Sequence, residues 1–560
     1  MAARDLAACL RVEYLDRLDA SQLVGRDEDF LELLKREGPQ VWATLEGCQA
    51  APSAVVVPNS RSAHALDRHA PERHALKSRI RVATISTVRK ALQQRLARKL
   101  IFSSTKGLFD TMPEFSARNR LSSTQGVLFG MFAVLAAEFF WLNFATALFA
   151  THVAATVFFV GCSGLRIAAA IGGSLQSERY QQPTRAEPVY SVLIALWRES
   201  NMIPQLLAAL SRLDWPRDRL EIKLICEEDD PATIEAIARN PLHSLVETIV
   251  VPPCQPRTKP KALRYAMSMT RGEFVVLYDA EDIPHPGQLR EAFAAFERAS
   301  DNLACLQAPL EIINGEENWI TRCFAFEYRA LFRGLVPWLA SRNLVFPLGG
   351  TSNHFRRSAL EAAGAWDPHN VTEDADLGIR LGRMGYEIGT IDSPTYETAP
   401  NRLKDWYPQR ARWNKGWMQT WLVHMRSPIL LARELGAGSF IVAQFVLFGM
   451  VFSSLLHPMV LALIPYLSYV LLWSVPMGTW ETALITVDII SIVGGYFGFL
   501  LLGYKRSVGV ERQSFWRVAV ATPLYWLAIS AAAWKALKDL WLNPFHWDKT
   551  SHDPFSDSQA

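Results

Sequence analysis

The stretch GEFVVLYDAED (272–282) is an apolar run that leads straight into three acids. A short run of this kind, rich in β-branched and aromatic residues, reads as a strand covered on both faces. Upstream, YSVLIAL (190–196), EIKLICE (221–227) and VETIVVP (246–252) read the same way. Between them lie the helical patterns IPQLLAALSRL (203–213) and KPKALRYAMSM (259–269). This alternation predicts an α/β domain over 180–430, with a mostly parallel sheet and helices on both faces. Ligands bind such sheets beyond the carboxyl ends of the strands. The acidic motifs fall at those ends.

Outward from this domain the composition changes. Half of the 560 residues are hydrophobic, with 18 Trp and 29 Phe, and the apolar residues cluster. Residues 126–170 hold GVLFGMFAVLAAEFFWLNF (126–144) and ATALFATHVAATVFFVGCSGL (145–165). Each has about 20 residues, enough to cross a bilayer. Asn143 sits at the expected turn, so the pair reads as a transmembrane hairpin. Glu138 lies inside the first span, where an acid is costly and either functional or turned toward a partner. Residues 437–537 offer four more spans, near 437–457, 458–475, 482–503 and 516–537, making about six. A polar tail, 538–560, follows. Basic segments, RKALQQRLARK (89–99) and RARWNK (410–415), flank the spans on the side of the α/β domain. The positive-inside rule then places that domain in the cytoplasm. Six spans, however, put the basic loop YKRSVGVERQSFWR (504–517) outside, in conflict with the same rule.

Residues 1–120 are charged. Their pattern, VVVP (55–58), a polar helical stretch and RIRVAT (79–84), predicts a small N-terminal α/β domain. It carries no catalytic motif, so its removal is expected to spare basal catalysis. The first 20 residues carry acids early and do not read as a signal peptide. A net charge of +3 excludes nucleic acid as an expected partner. The seven cysteines are scattered without a C-x-x-C pair, which argues against a zinc site or a disulfide framework.

Four motifs carry candidate chemistry. Glu227-Glu228-Asp229-Asp230 ends a strand, where carboxylates can accept hydrogen bonds from a base and a ribose. Equally, it is a solvated loop with Asp230 capping a helix that starts at Pro231. Asp279 and Glu281 present alternate carboxylates suited to Mg²⁺ or Mn²⁺, hard ions that prefer oxygen. Thr372-Glu373-Asp374 opens an amphipathic helix. Asp374 is a candidate general base there, or simply a favourable helix-end charge. In Gln409-Arg410-Ala411-Arg412-Trp413 the arginines suit phosphate and the tryptophan offers a face for a sugar ring. The plain alternative is a basic, aromatic interface helix.

Together, the order and spacing of these motifs over 190–430 resemble the processive family 2 glycosyltransferases, which include cellulose, chitin, hyaluronan and curdlan synthases. The resemblance implies a GT-A-like α/β fold flanked by membrane helices. It implies that Glu227 and Glu228 hold uridine and that Lys259 contacts the nucleotide. Asp279 and Glu281 bind the metal. Gly350, Thr351, Ser352 and Asn353 form the acceptor-side loop. Asp374, with Glu373 beside it, is the catalytic centre. Gln409, Arg410, Arg412 and Trp413 serve the diphosphate and the acceptor. The first motif is Glu-rich where many relatives have paired Asp, and the metal motif carries Glu281 as its second acid. The C-terminal PLYWLAISAAAWKALKDLWL (523–542) resembles bacterial members, which implies the inner membrane of a bacterium.

The expected function is an inverting transfer from a nucleotide sugar, UDP-linked as the resemblance implies, to a growing β-linked polysaccharide exported across the membrane. Two rivals stand beside it. One is a synthase adding a single sugar to a membrane lipid to give a glycolipid. The other is a non-catalytic membrane scaffold or transporter. The residue-level N-terminal pattern also bears a faint similarity to the N-terminal domain of type II secretion ATPases, which implies a regulatory or an assembly role.

Overall fold

The computed structural model describes residues 7–8, 12–35, 43–45, 53–56, 80–172, 185–473 and 478–543. The expected polar tail lies almost wholly outside the described residues. At the N-terminus, β1 (Glu13–Leu15), β2 (Leu23–Val24), α1 (Asp27–Lys35), β3 (Ala43–Leu45), β4 (Ser53–Val56) and β5 (Ile80–Ala83) build a small α/β unit. Its sheet runs β1-β5-β4-β3-β2. Thr84 caps the long α2 (Ile85–Thr111) by accepting the Thr87 N–H at 3.2 Å. Next comes the apolar hairpin of α3 (Ser123–Leu142) and α4 (Phe144–Ile171), turning at Asn143. Ser122 and Gln125 start α3 with a reciprocal capping box. Glu138 is on an exposed face of α3.

The central domain contains β6 (Tyr190–Leu196), α5 (Ile203–Ser211), β7 (Leu220–Glu227), α6 (Pro231–Arg239), β8 (Glu247–Val251), α7 (Lys259–Met267) and β9 (Phe274–Tyr278). These are the strands and helices expected from the alternating pattern. β6 to β9 are parallel, and β9 is buried along its whole length. A second half adds β10 (Ile283–Pro284), α8 (Gln288–Arg298), β11 (Leu303–Gln307), β12 (Leu310–Ile312), α9 (Trp319–Ala330), β13 (Asn353–Arg356), α10 (Glu373–Arg383), β14 (Glu387–Thr390) and β15 (Thr395–Glu397). The main sheet runs β14-β11-β13-β9-β6-β7-β8, with β13 antiparallel to both neighbours. A mixed but mostly parallel sheet covered by helices is a GT-A-like arrangement. A small sheet, β10-β15-β12, closes one end.

α2 does not belong to the N-terminal unit alone. Its Leu92, Leu96 and Leu100 are buried in the same core as Leu263 and Ala266 of α7. Arg264 of α7 also donates to the Ser103 carbonyl at 3.2 Å. The composition boundary near residue 120 therefore cuts through a shared helix, because charge on its outer face hides the leucines at four-residue spacing.

The C-terminal region differs from the expected four spans. α11 (Leu403–His424) leads to α12 (Pro428–Ala443), which breaks at Gly436 with φ of 74°. A π-helical turn (Gln444–Phe448) then continues into α13 (Gly449–Leu472). The two spans expected at 437–457 and 458–475 are thus one helix. Pro458 lies inside it and does not end it, as neighbouring helices can make up for the lost bond. α14 (Thr479–Arg506) and α15 (Phe515–Leu542) follow. Among the described residues, five helical segments are long and apolar enough to cross a membrane, where about six were expected.

Ion pairs explain the conflict over the loop 504–517. Glu511 pairs with Arg329 and with Arg333, each at 3.2 Å, so this loop lies against the central domain. α15 then runs beside α11. Tyr407 donates to the Ala531 carbonyl at 3.2 Å, and Lys415 to the Asn543 carbonyl at 3.1 Å. Both ends of α15 therefore face the central domain, while α3, α4, α13 and α14 each bring one end to it. The basic loop 504–517 therefore packs on the central domain.

Removing residues 1–84 should leave a folded, membrane-inserted protein. Removing 1–111 should uncover Leu263 and Ala266 and lower the yield of monodisperse protein sharply. Size-exclusion profiles of the two truncations check this; equal behaviour would show that α2 is dispensable to the core.

Candidate functional site

Five elements surround a cavity of about 500 Å³ at the carboxyl end of the main sheet. β9 ends at Tyr278 and delivers Asp279, with Glu281 in the following turn. α7 begins with Lys259, and its first turn points at the same space. The loop before β13 brings Gly350 and Thr351. α10 opens with Glu373 and Asp374, whose negative charge suits the positive end of the helix. α11 contributes Gln409, Arg410, Arg412 and Trp413. All eleven of these side chains and loop residues line the cavity.

Lys259 joins three of these elements. Its ammonium pairs with Asp279 and donates to the Gly350 carbonyl at 2.8 Å. Burial alone would lower its pKa, but the charges of Asp279 and Glu373 outweigh this and hold it above the ordinary lysine value. Glu373 and Asp374 are both pushed up, first by burial; for Glu373 the neighbouring Asp374 charge adds to it. Gly350 sits so close that a Cβ there would come within 3.3 Å of an Asp374 oxygen. The other oxygen, Oδ1, is buried without a hydrogen-bond partner among the described residues.

The carboxylates around β9 are crowded. Asp282 is fully buried, accepting the Asp279 N–H at 2.7 Å and the Thr351 hydroxyl. Glu397, at the end of β15, also lines the cavity. Burial and then the charges of Asp279 and Glu281 push Asp282 up; for Glu397 burial acts with Asp282, Glu281 and Asp279. Among the described residues no three His, Cys, Asp or Glu side chains converge closely enough to hold a metal alone. Two carboxylates at a strand end do fit a hard divalent cation whose remaining ligands come from phosphate and water. The mutual repulsion of these acids is what such an ion relieves.

The structure separates other expected residues from the cavity. Glu227 is buried against Lys261, at 2.6 and 2.9 Å. Glu228 is exposed at the strand end, and neither lines the cavity. Asp230 caps α6, accepting the Thr233 N–H at 3.3 Å. Ser352 and Asn353 are buried behind Thr351: Ser352 Oγ donates to Thr395 Oγ1 at 2.6 Å and Asn353 donates to the Gly349 carbonyl at 2.6 Å.

The two arginines of α11 differ. Arg410 donates to Glu327 Oε1 at 2.8 Å and to the Tyr525 hydroxyl at 2.8 Å, and that hydroxyl donates to Glu327 Oε2 at 2.8 Å. Its guanidinium also lies 4.5 Å from the Phe324 ring and 4.7 Å from that of Trp413. Arg412 makes no hydrogen bond or ion pair among the described residues and faces the cavity. Trp197, after β6, was not singled out in the sequence. Its indole lines the cavity, with the guanidinium groups of Arg198 and Arg257 at 4.9 and 4.6 Å from the ring. Glu397 was missed likewise; no motif surrounds either.

A second cavity, of about 990 Å³, lies between α4, α13 and α14. Glu327, Leu331, Leu335, Arg410, Trp413 and Trp417 line both cavities, so the two meet there. Two π-helical turns, Leu331–Leu335 and Gln444–Phe448, frame the junction; such turns are frequent at functional sites.

Residues 274–484 match the family model described as glycosyl transferase family group 2. The probable glycosyltransferase YdaM of Bacillus subtilis is 26% identical over 42% of this chain and 57% of its own length. The probable glucomannan 4-beta-mannosyltransferase 1 of Arabidopsis thaliana is 26% identical over 41% of this chain and 43% of its own. The chain thus spans about half the length of the curated relatives it matches. The solved mannosyltransferase PcManGT from Pyrobaculum calidifontis, in complex with GDP-Man and Mn²⁺, aligns at 17% identity with a TM-score of 0.45, covering 70% of this chain and 99% of that one.

The Glu227–Lys261 pair should behave as structure. Lys261→Met leaves a buried carboxylate without its counter-charge and should cost about 3 kcal/mol or more. Glu228→Gln, on the exposed end, should change stability by less than about 0.5 kcal/mol. Thermal unfolding of the two variants checks the contrast; equal shifts would overturn it.

Proposed function

We propose that the protein is a membrane-bound, inverting hexosyltransferase that moves a sugar from a UDP-sugar to a growing β-linked polysaccharide. The observation that carries this reading is the pairing across one cavity of an unpartnered Asp374 oxygen and an uncommitted Arg412. The first is a base aimed at an acceptor; the second is a cation free to take a diphosphate. An acceptor hydroxyl oxygen attacks the anomeric carbon from the Asp374 side, its proton passes to Asp374, and the bond to the diphosphate breaks on the opposite side. One base and one displacement invert the configuration, and no protein nucleophile is required. Arg412 and Lys259 stabilise the leaving diphosphate. Asp279 and Glu281 would hold Mg²⁺ or Mn²⁺, which supplies further positive charge to the phosphates. Trp197 offers a ring on which the nucleotide base can stack. Arg410 is assigned the lesser part of holding α11 in place.

Support for a polymer comes from Trp413, which lies where the two cavities join. A flat ring there can hold the acceptor without fixing one register, and the rear cavity is the route by which the chain leaves. The glycolipid reading has its own support in the leucine and isoleucine side chains along that cavity. With the basic flanks and the central domain on one side, the protein sits in the inner membrane of a bacterium with its active site in the cytoplasm.

Asp374→Asn should cut turnover by at least about 100-fold while UDP still binds. The wild-type rate should fall as pH is lowered through the raised pKa of Asp374, with an acid limb above the free-aspartate value of about 3.9. Steady-state rates in detergent check both; normal turnover by the variant would end the assignment. A chelator should stop UDP release, and added Mn²⁺ or Mg²⁺ should restore it. Labelled donor should enter chains of several sugars that a matching glycan hydrolase degrades. Label confined to organic-soluble lipid would replace the polymer with the glycolipid.

A further inference from the structure

The rear cavity contains two carboxylates and both are committed. Glu327 is held by Arg410 and Tyr525. Asp488 accepts from Thr156 at 2.9 Å and pairs with His152 at 2.8 Å. Arg166 of α4 lines the same cavity and has no hydrogen bond or ion pair among the described residues. Its guanidinium carbon lies 5.9 Å from the Trp526 ring. Glu327 acts on it only through space and is bonded elsewhere; a cation with no carboxylate bonded to it between membrane helices is expensive, and such residues mark ligand sites.

The height of Arg166 says what the ligand is. It lies five residues before the end of α4, about 8 Å along the helix at 1.5 Å per residue, and that end meets the central domain. This is the level of lipid head groups. Farther into the bilayer the wall is mainly apolar, with Leu463, Leu467, Ile485 and Ile492, interrupted by the mutually bonded Asp488, His152 and Thr156. α13 and α14 touch through His457 and Tyr496, at 3.3 Å, and the cavity continues past that contact between the two helices. A cation at head-group height below an apolar slot matches a molecule with an anionic head and a hydrocarbon tail. Arginine's fork of donors fits phosphate oxygens best.

We propose that the rear cavity binds a membrane lipid through its phosphate, gripped by Arg166, and that this lipid is the primer on which the glycan is started. This rests on the transferase reading above: the lipid leaves Arg166 and passes Trp413 to the front cavity, where one of its phosphate oxygens bonds to the anomeric carbon as that carbon's bond to the donor diphosphate breaks and UDP leaves. Growth of the chain then moves the lipid back into the bilayer by the route it entered.

The test separates binding from catalysis. Protein purified in detergent is given a long-chain isoprenyl phosphate or the matching isoprenyl alcohol, and bound lipid is counted by native mass spectrometry. The phosphate should bind at least tenfold more tightly than the alcohol. Arg166→Gln should abolish that preference and Arg166→Lys should keep most of it, with UDP binding unchanged in both. Equal binding of phosphate and alcohol to the wild type would overturn the site, whether or not the variants fold. If the phosphate binds but labelled donor never appears on it, the primer role falls and the lipid site stands. If neither lipid nor any other acceptor is labelled, the transferase reading itself has failed.

Discussion

Arg410 has been taken out of water and given partners on two other helices. Glu327 comes from α9 of the central domain and Tyr525 from α15 beside the membrane, 83 and 115 residues away in the chain. Such a pair costs desolvation that its attraction roughly repays, so its presence is a weak argument for stability. Its geometry is a stronger argument. Removing either partner would strand a buried charge, so α9, α11 and α15 can be packed only in the register that keeps all three groups together. That register puts Arg412 toward the front cavity and Trp413 at the junction. Placing of the uncommitted arginine thus depends on the committed one.

A similar division of labour holds at the sheet. Lys259 is bonded to Asp279 and to the Gly350 carbonyl, so α7, β9 and the loop before β13 converge on one ammonium. The negative excess around it is left over: Glu281, Asp282, Glu373, Asp374 and Glu397 outnumber the cations that face them. Isolated in a low-dielectric cleft, these acids would take up protons, as the upward shifts of Asp282, Glu373, Asp374 and Glu397 indicate. A site built this way is incomplete without a positive ligand.

Strands β6, β7 and β9 were legible as apolar runs because strands buried on both faces have little room for polar residues. Acids at their ends were legible for the same reason, since a charge directly after such a run marks where the sheet meets a cleft. What could not be read was partnership. Glu227 and Glu228 are neighbours in sequence, yet one is buried on Lys261 and the other is exposed, because a strand turns successive side chains to opposite faces. Arg410 and Arg412 look equivalent in RARW, and only Glu327 and Tyr525 make them different. Glu397 and Trp197 carry no motif; their place in the cavity follows from how β15 and β6 end. The stretch 437–472 was read as two spans, yet it is continuous, with Pro458 inside the helix at the expected boundary.

Charge asymmetry and helix length gave conflicting accounts of the C-terminal region, and the reason is instructive. Length and hydropathy measure whether a segment could sit in hydrocarbon, not what competes for it. α15 meets both criteria, yet Tyr407, Arg410 and Lys415 draw hydrogen-bonding groups along its length toward α11. Crossing the bilayer would leave Arg410 and Glu327 without Tyr525. Lying beside α11 instead keeps those polar contacts and still buries Val518 and Tyr525 in the aromatic cluster of α9. A helix of marginal hydropathy is thereby recruited to the floor of the rear cavity through Trp526 and Ile529. The basic loop before it then stays with the other basic segments, as the distribution of lysine and arginine alone requires.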